Sequence, residues 1–219
     1  MKADVSVLVM SCDSYEDCWK PFFTLKEKYW QDCPYKTYIC TETKDCKYAT
    51  TLKHIGAWTK RIRESLKEID TKYVILMLED YFLREKVDQK RIESVINNFQ
   101  EDASCYSLRN WWDKKDYSND GFTLRKNKTP YLNSCQIKIH NKDKLLETLN
   151  KDMTAWEWET TIIDSPYKFY ENRADNIFYY GYTNYKPFGI VRGKWAKETK
   201  DFFEKENINM DYSKRGFYD

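Results

Sequence analysis

Tyr73-Val-Ile-Leu-Met-Leu-Glu79-Asp80-Tyr81-Phe82-Leu83 is the stretch that decides the fold. Tyr73 to Leu78 carry no polar break, which suits a strand buried on both faces. Two carboxylates follow at once. Side by side at a buried strand end they repel each other and lose solvation, so they need a cation, hydrogen-bond donors or open solvent. A hard cation bridging to a diphosphate is one common answer, and a plain polar turn is another. Tyr81-Phe82-Leu83 resumes the apolar run, so the acidic pair reads as interrupting a strand rather than ending it.

Upstream, Val5 to Met10 (VSVLVM) has the same doubly buried character and runs into the turn residues Ser11, Cys12, Asp13 and Ser14. A helix is expected over 16–29, with Pro21 in its first turns. Lys36 to Thr41 (KTYICT) reads as a strand. Over 56–69 Trp58, Ile62, Leu66 and Ile69 recur at helical spacing, with Lys and Arg opposite. Strand, helix, strand, helix, strand implies a parallel sheet with right-handed crossovers. Ligands of such sheets bind beyond the carboxyl ends of the strands. Those ends are Ser11–Ser14, Thr41-Glu42-Thr43 and Glu79-Asp80-Tyr81. The chain has six glycines and neither GxGxxG nor GxxxxGK[ST], which removes dehydrogenase and P-loop readings.

Downstream, helices are expected over 88–100, 142–150 and 153–163, and shorter strands over 104–108 and 135–139. The last third is rich in Tyr, Lys and Asn, with weak periodicity. No repeat or biased linker divides the 219 residues, so one domain is expected. Lys and Arg number 37 against 35 Asp and Glu, a net charge of +2. That balance disfavours a dedicated nucleic-acid binder, a nuclease using Glu79-Asp80, or a polybasic membrane anchor. No window is apolar enough to span a membrane, and the N-terminus lacks signal-peptide features. The seven cysteines form no CxxC pair and read as reduced thiols of a cytoplasmic protein. A zinc site from Cys33, Cys40 and Cys46 lacks ligand spacing. Eight Trp, 18 Tyr and 11 Phe exceed what a core of this size needs.

The α/β order with an apolar strand closing on acidic residues resembles the GT-A glycosyltransferases, over roughly residues 3 to 165. The resemblance implies a GT-A-like, mostly parallel Rossmann-type sheet flanked by helices. It implies a nucleotide-sugar-binding half over 1–100 and an acceptor-binding half with a C-terminal tail over 101–219. Glu79 and Asp80 match the first two positions of the family's acidic motif, and Tyr81 stands where its last Asp lies. The implied metal is therefore either a Mn or Mg ion on Asp80 and Glu79 or is replaced by basic residues. Ser11, Cys12, Asp13 and Glu42 fall where base and ribose are held, or are ordinary turn caps. Arg61 and Arg63 stand where diphosphate contacts occur, or form a solvated helix face. Arg192-Gly193-Lys194 and Lys214-Arg215-Gly216 offer further charge toward phosphates.

Ala155-Trp156-Glu157-Trp158-Glu159-Thr160 looks like the Trp-x-Trp-Glu-Asp segment of inverting members of the family. On a helix Glu159 falls beside Trp156, Ile162 and Ile163, apolar surroundings that raise a carboxyl toward the range of a general base. Thr160 replaces the segment's Asp, which leaves the base role to Glu159 or Glu157. Trp111, Trp112, Trp156 and Trp158 are expected as acceptor platforms, with the acceptor groove between 105–135 and 153–185. The implied function is transfer of a sugar, with a UDP-sugar as donor, to a glycan, polysaccharide or lipid-linked acceptor, with contact to a membrane only at its periphery. A nucleotidyltransferase would want a Gly-rich basic loop after the first strand. A non-catalytic carbohydrate-binding protein would be antiparallel β.

Overall fold

The computed structural model describes residues 4–111, 115–181 and 187–218. Trp112 and Tyr182 lie outside the described residues. The chain order is β1 (Val5–Met10), α1 (Glu16–Tyr29), β2 (Lys36–Thr41), β3 (Thr50–Lys53), α2 (Trp58–Glu68), β4 (Tyr73–Leu78), α3 (Gln89–Asn97) and β5 (Ala103–Ser107). It continues through β6 (Phe122–Leu124), β7 (Lys138–Asn141), α4 (Lys142–Thr148), α5 (Ala155–Thr161), β8 (Lys168–Asn172), β9 (Ile190–Val191), β10 (Lys194–Trp195) and α6 (Lys197–Lys205). The main sheet runs β3-β2-β1-β4-β7-β5-β8-β6. The first four strands are mutually parallel, as is the pair β5–β8, while β7 and β6 run against their neighbours.

The period of two along β1 sorts its side chains onto two cores. Val5, Val7 and Val9 join the aromatics of α1 and the buried face of α3. Leu8 and Met10 join Ile62 and Leu66 of α2, Leu145 of α4 and Trp158 of α5. Every residue of β1 is buried because helices lie on both faces, which is why its sequence is an unbroken apolar run. The result is a three-layer α/β domain with a mostly parallel central sheet.

Two expectations change. β4 ends at Leu78, and Glu79 and Asp80 form a turn. The apolar run beyond them is buried without being a strand: Phe82 packs edge-on to Phe203 and stacks near Trp195, and Tyr81 stacks on Tyr180 at 4.5 Å. Hydrophobic continuity here came from loop packing, which carries no period. Trp158 is the second correction, since it is fully buried and cannot meet an acceptor. Its ring packs 5.4 Å from Trp58 and its indole N–H donates to Thr148 Oγ1 at 3.2 Å. Trp156, two residues away and on the other side of the helix, is 63% exposed. Truncating a buried Trp removes contacts and leaves a cavity, so Trp158→Ala is expected to cost about 3–5 kcal/mol. Trp156→Ala should stay within about 0.5 kcal/mol. Urea denaturation of the two variants measures the contrast.

Candidate functional site

The carboxyl ends of β1, β2 and β4 meet at one edge of the sheet. Ser11 leaves β1 with its N–H on Cys40 O at 3.1 Å, and its hydroxyl accepts from the Trp19 indole at 2.7 Å. Asp13 and Glu42 tie the loops after β1 and β2 to each other. The Asp13 carboxylate accepts from the backbone N–H groups of Glu42, Thr43 and Lys44 and from the Thr43 hydroxyl, while Asp13 N–H donates to Glu42 Oε2 at 3.1 Å. Burial raises the Asp13 pKa, but these donors outweigh it and hold the carboxyl at about 2. Asp13 is thus a charged cap with both oxygens engaged. Cys12 lies beside it, its sulfur 2.9 Å from the Ser14 hydroxyl.

Arg61 does not take the solvated helix face open to it. It is 5% exposed and donates to Ser11 O, with Glu42 Oε1 3.9 Å from its guanidinium. One buried cation therefore fastens the ends of β1 and β2. Arg63 is a correction: it points to the opposite side of α2 and donates to Leu149 O at 2.5 Å and Asp152 Oδ1 at 3.0 Å. Two residues apart on a helix are about 200° apart, so both arginines could not face the strand ends.

Glu79 is buried, and Asp80 Oδ1 is buried with no hydrogen-bond partner among the described residues. Burial, then repulsion by Asp80, pushes the Glu79 carboxyl upward, with Ser11 and Arg61 offsetting part of it. Burial pushes Asp80 upward too, offset by the Ile190 N–H and by Arg215. The pair is adjacent, desolvated and short of compensating charge. Tyr15 stands close enough that burial and these two carboxylates push its phenol up to about 12.

The tail supplies the roof. β9 and β10 form a hairpin whose turn, Arg192-Gly193, has φ of 50° and 79°, the left-handed pair of a type I′ turn. Arg192 and Lys194 are exposed at its tip. Before the hairpin, Gly189 presses on the Asp80 carbonyl: a Cβ there would lie 2.7 Å from that oxygen, at φ +80°. Arg215 then grips Asp17 with two hydrogen bonds of 2.7 and 2.8 Å, donates to Ser14 O at 2.6 Å, and lies 4.1 Å from the Tyr15 ring centre. Arg215 stands out in the sequence as charge toward phosphates, but its clasp on Asp17 and its stacking on Tyr15 escape a sequence reading because they join residues some 200 positions apart.

A groove of about 870 Å³ lies over the outer half of the sheet, with Trp111, Arg125, Tyr131, Glu159 and Arg173 among its lining. β5 and β8 point the same way as β4, so Arg109, Trp111 and Arg173 follow their carboxyl ends. The carboxyl-end rule applied to β5 would have found Arg109. Its guanidinium is sandwiched 3.8 Å from the Trp111 ring centre and 4.8 Å from that of Tyr180. Glu159 forms part of the groove wall, its Oε1 accepting from Cys135 N at 2.7 Å. Trp156 meets Tyr131 at the rim with ring centres 6.0 Å apart. Glu157 is a correction, because it closes a capping box with Thr154 and lies on the exposed side of α5. His140, buried within the sheet and pushed down to about 3 by burial and by Lys138, takes no part.

A small hard cation of the Mg or Mn kind needs one or two carboxylates and takes its other ligands from water and phosphate. The unpartnered Oδ1 of Asp80 fits that requirement. Among the described residues no three His, Cys, Asp or Glu side chains converge as a closed cage.

No family model matches the chain, and no curated protein matches it in sequence. Solved structures do resemble it. TarS of S. aureus, as its 1–349 fragment, matches at a TM-score of 0.53 and 15% identity, covering 98% of this chain and 67% of that one. The longer TarS structure matches at 0.51 and 13% identity, and this chain spans only 41% of it. A nucleotidyl transferase from Methanothermobacter matches at 0.51 and 8% identity, covering 77% and 87%. The bifunctional IspDF from Campylobacter jejuni matches at 0.49 and 11% identity, and this chain spans about half of it, 51%. No helix among the described residues is long and apolar enough to cross a membrane. The chain thus shares its overall fold with TarS and with that nucleotidyl transferase.

Proposed function

We propose that the protein transfers a sugar from a nucleoside-diphosphate sugar to an acceptor hydroxyl, with inversion at the anomeric carbon. The observation that carries this is a division of labour among carboxylates. Glu79 and Asp80 form a buried, undercompensated pair at the β4 end. Glu159 stands apart, oriented by the Cys135 N–H on the wall of an aromatic groove. The first arrangement suits a diphosphate and the second suits proton abstraction.

Glu159 takes the acceptor proton as the oxygen attacks from the face opposite the leaving group. Ser11, Cys12 and the Asp13–Glu42 tie shape the pocket for the nucleoside. Arg215 sets positive potential near the phosphates, with Arg192 and Lys194 on the hairpin beyond. Asp80, with Glu79 beside it, would hold a divalent ion that neutralises the departing nucleoside diphosphate. The acceptor is a glycan, polysaccharide or lipid-linked sugar packed against Trp111 and Trp156.

Nucleotidyl transfer is the second reading, favoured by the likeness to the Methanothermobacter enzyme. Against it, the loop after β1 contains no glycine to wrap a triphosphate. A melting-temperature panel separates the two. Stabilisation by one nucleoside diphosphate at 100 times its Kd is expected to reach about 2.7 kcal/mol, a shift of several degrees, and to grow with Mn²⁺. A response to nucleoside triphosphates alone, with pyrophosphate released from the triphosphate as a sugar phosphate attacks its α-phosphorus, would make the second reading the right one. No response to any nucleotide would remove both.

A further inference from the structure

We propose that a second cavity, on the opposite face of the outer sheet from the groove, binds one uncharged sugar ring.

Alternation along β6 separates the two places. Thr123 lines the groove, and its neighbour Phe122 lines the cavity. No residue lines both, so the sheet stands between their occupants. Tyr106 pairs with Tyr170, and Phe122 pairs with Asn172 two residues on, which puts all three rings on one face. It is the face that packs against Ile92 and Val95 of α3. The Tyr106 and Tyr170 rings stack 4.5 Å apart and nearly parallel, and Phe122 meets Tyr106 edge-on at 5.2 Å. These rings hold one another in place as an apolar wall.

The facing wall is polar. Ser94 and Asn98 lie one helical turn apart at the end of α3. The Asn98 amide N–H donates to Ser94 O at 2.9 Å, which leaves its carbonyl oxygen and the Ser94 hydroxyl without a partner among the described residues. Asn119 and Asp120 lead into β6 with φ of 47° and 59°. Gly121 after them sits so close to Ala174 that an added Cβ would lie 2.5 Å from the alanine methyl, which fixes the loop beside the cavity. The Asn119 and Asp120 side chains make no hydrogen bond or ion pair with a described residue. Arg91 also lines the cavity, with its guanidinium held by Asp175 O at 2.5 Å and Asn172 Oδ1 at 3.3 Å.

The cavity measures about 290 Å³. That is the small end of the range for small-molecule sites, about 300–1,000 Å³, so it suits one ring and not a chain of them. Its charged side chains are one cation and one anion, Arg91 and Asp120, so a charged ligand gains no net attraction there. A purely apolar ring would take water from the Ser94, Asn98, Asn119 and Asp120 side chains and return no hydrogen bond. A sugar matches both walls: its C–H face packs on the rings, and its hydroxyls meet the carboxylate, the hydroxyl and the amides.

The test is titration of the full chain, followed by saturation-transfer NMR, with the methyl glycosides of glucose, galactose and N-acetylglucosamine, and with methyl glucuronide and adenosine. At least one neutral glycoside is expected to bind with a Kd of about 1–10 mM, ahead of the glucuronide and adenosine. Asp120→Gly, which removes the carboxylate and suits the left-handed backbone, should weaken that binding at least tenfold. Asn98→Ala should weaken it several-fold, and Trp156→Ala, on the groove, less than twofold. Unchanged melting temperatures show that the variants are folded. No binding of any neutral glycoside overturns the proposal, as does tighter binding of the glucuronide or adenosine. Binding untouched by both cavity variants, or abolished by Trp156→Ala, also overturns it. The nucleotide melting shift, read on the same samples, reports separately on the transfer reading. A shift without glycoside binding ends only this proposal, and glycoside binding without a shift ends only the transferase.

Discussion

Glu159→Gln is expected to lower sugar transfer by about 10²–10⁴-fold while nucleotide binding stays at the wild-type level. The substitution keeps the shape of the side chain and its acceptor atom toward Cys135 N, so the wall of the groove should survive. What it removes is a group able to take a proton. The side chain stands on the groove rather than among the strand ends that hold Ser11, Asp13 and Asp80, so the donor should not sense the change. The fitting measurements are single-turnover transfer and nucleotide titration of the same preparation. Turnover within threefold of wild type would take Glu159 out of the mechanism. Glu157→Gln is the internal control. Glu157 is tied to Thr154 and fully exposed, so activity should persist and only the start of α5 should loosen.

Asp80→Asn is expected to have two effects of opposite sign. Activity and any dependence on Mn²⁺ should be lost, since the amide carries no negative charge at the buried position where Asp80 Oδ1 lacks a partner. Stability of the nucleotide-free protein should rise at neutral pH, by a few degrees in melting temperature. The sign follows from linkage. Both carboxyls are raised above their unfolded values, so the folded state binds protons more tightly. Their contribution to stability is fully present below about pH 4, where an unfolded carboxyl titrates, and is lost as pH rises through the raised values of the folded pair. Removing one charge removes the repulsion that Asp80 imposes on Glu79, and the decline should flatten. Melting temperature against pH from 4 to 9 for both proteins is the measurement. Parallel curves would place the pair in ordinary solvent, and a fully active variant would make the acidic turn a structural one.

The fold was legible where burial is two-sided or one-sided along a regular element. β2, β4 and α1 stand where the sequence places them, because a doubly buried strand or an amphipathic helix imprints its period. β3, β6, β8, the hairpin and α6 were not visible. β3 (Thr50–Lys53) is a polar edge strand with one buried side chain, and α6 buries only Thr199 and Phe203. Neither is long enough to repeat. The acid pair was legible because charge at a buried strand end is costly in any fold. Trp158 and Arg63 were misplaced because a residue list for a helix does not say which arc faces inward. The pairing of Leu145 and Leu149 with Trp158 in one core settles it only once α4 and α5 are docked. Arg61 shows the same limit from the other side, a cation buried because three strand ends needed one.

The roof over Asp80 bears on how the protein comes to be made. All eight strands of the main sheet precede residue 173, so the sheet can close while the hairpin and tail are still being synthesised. The Arg215–Asp17 clasp joins residues 198 positions apart, and Trp195 bridges to Phe217. Until those segments emerge, Asp80 has neither Gly189 above its carbonyl nor Arg215 nearby. Two stages follow, a folded scaffold and a later sealing of the edge that holds Asp80, with the loop-closure cost of the second met only after the first is in place. A ribosome-stalled chain ending near residue 180 should therefore hold a protease-resistant sheet whose Asp80 edge is still open, so the completed edge arrives as a separate event from the fold.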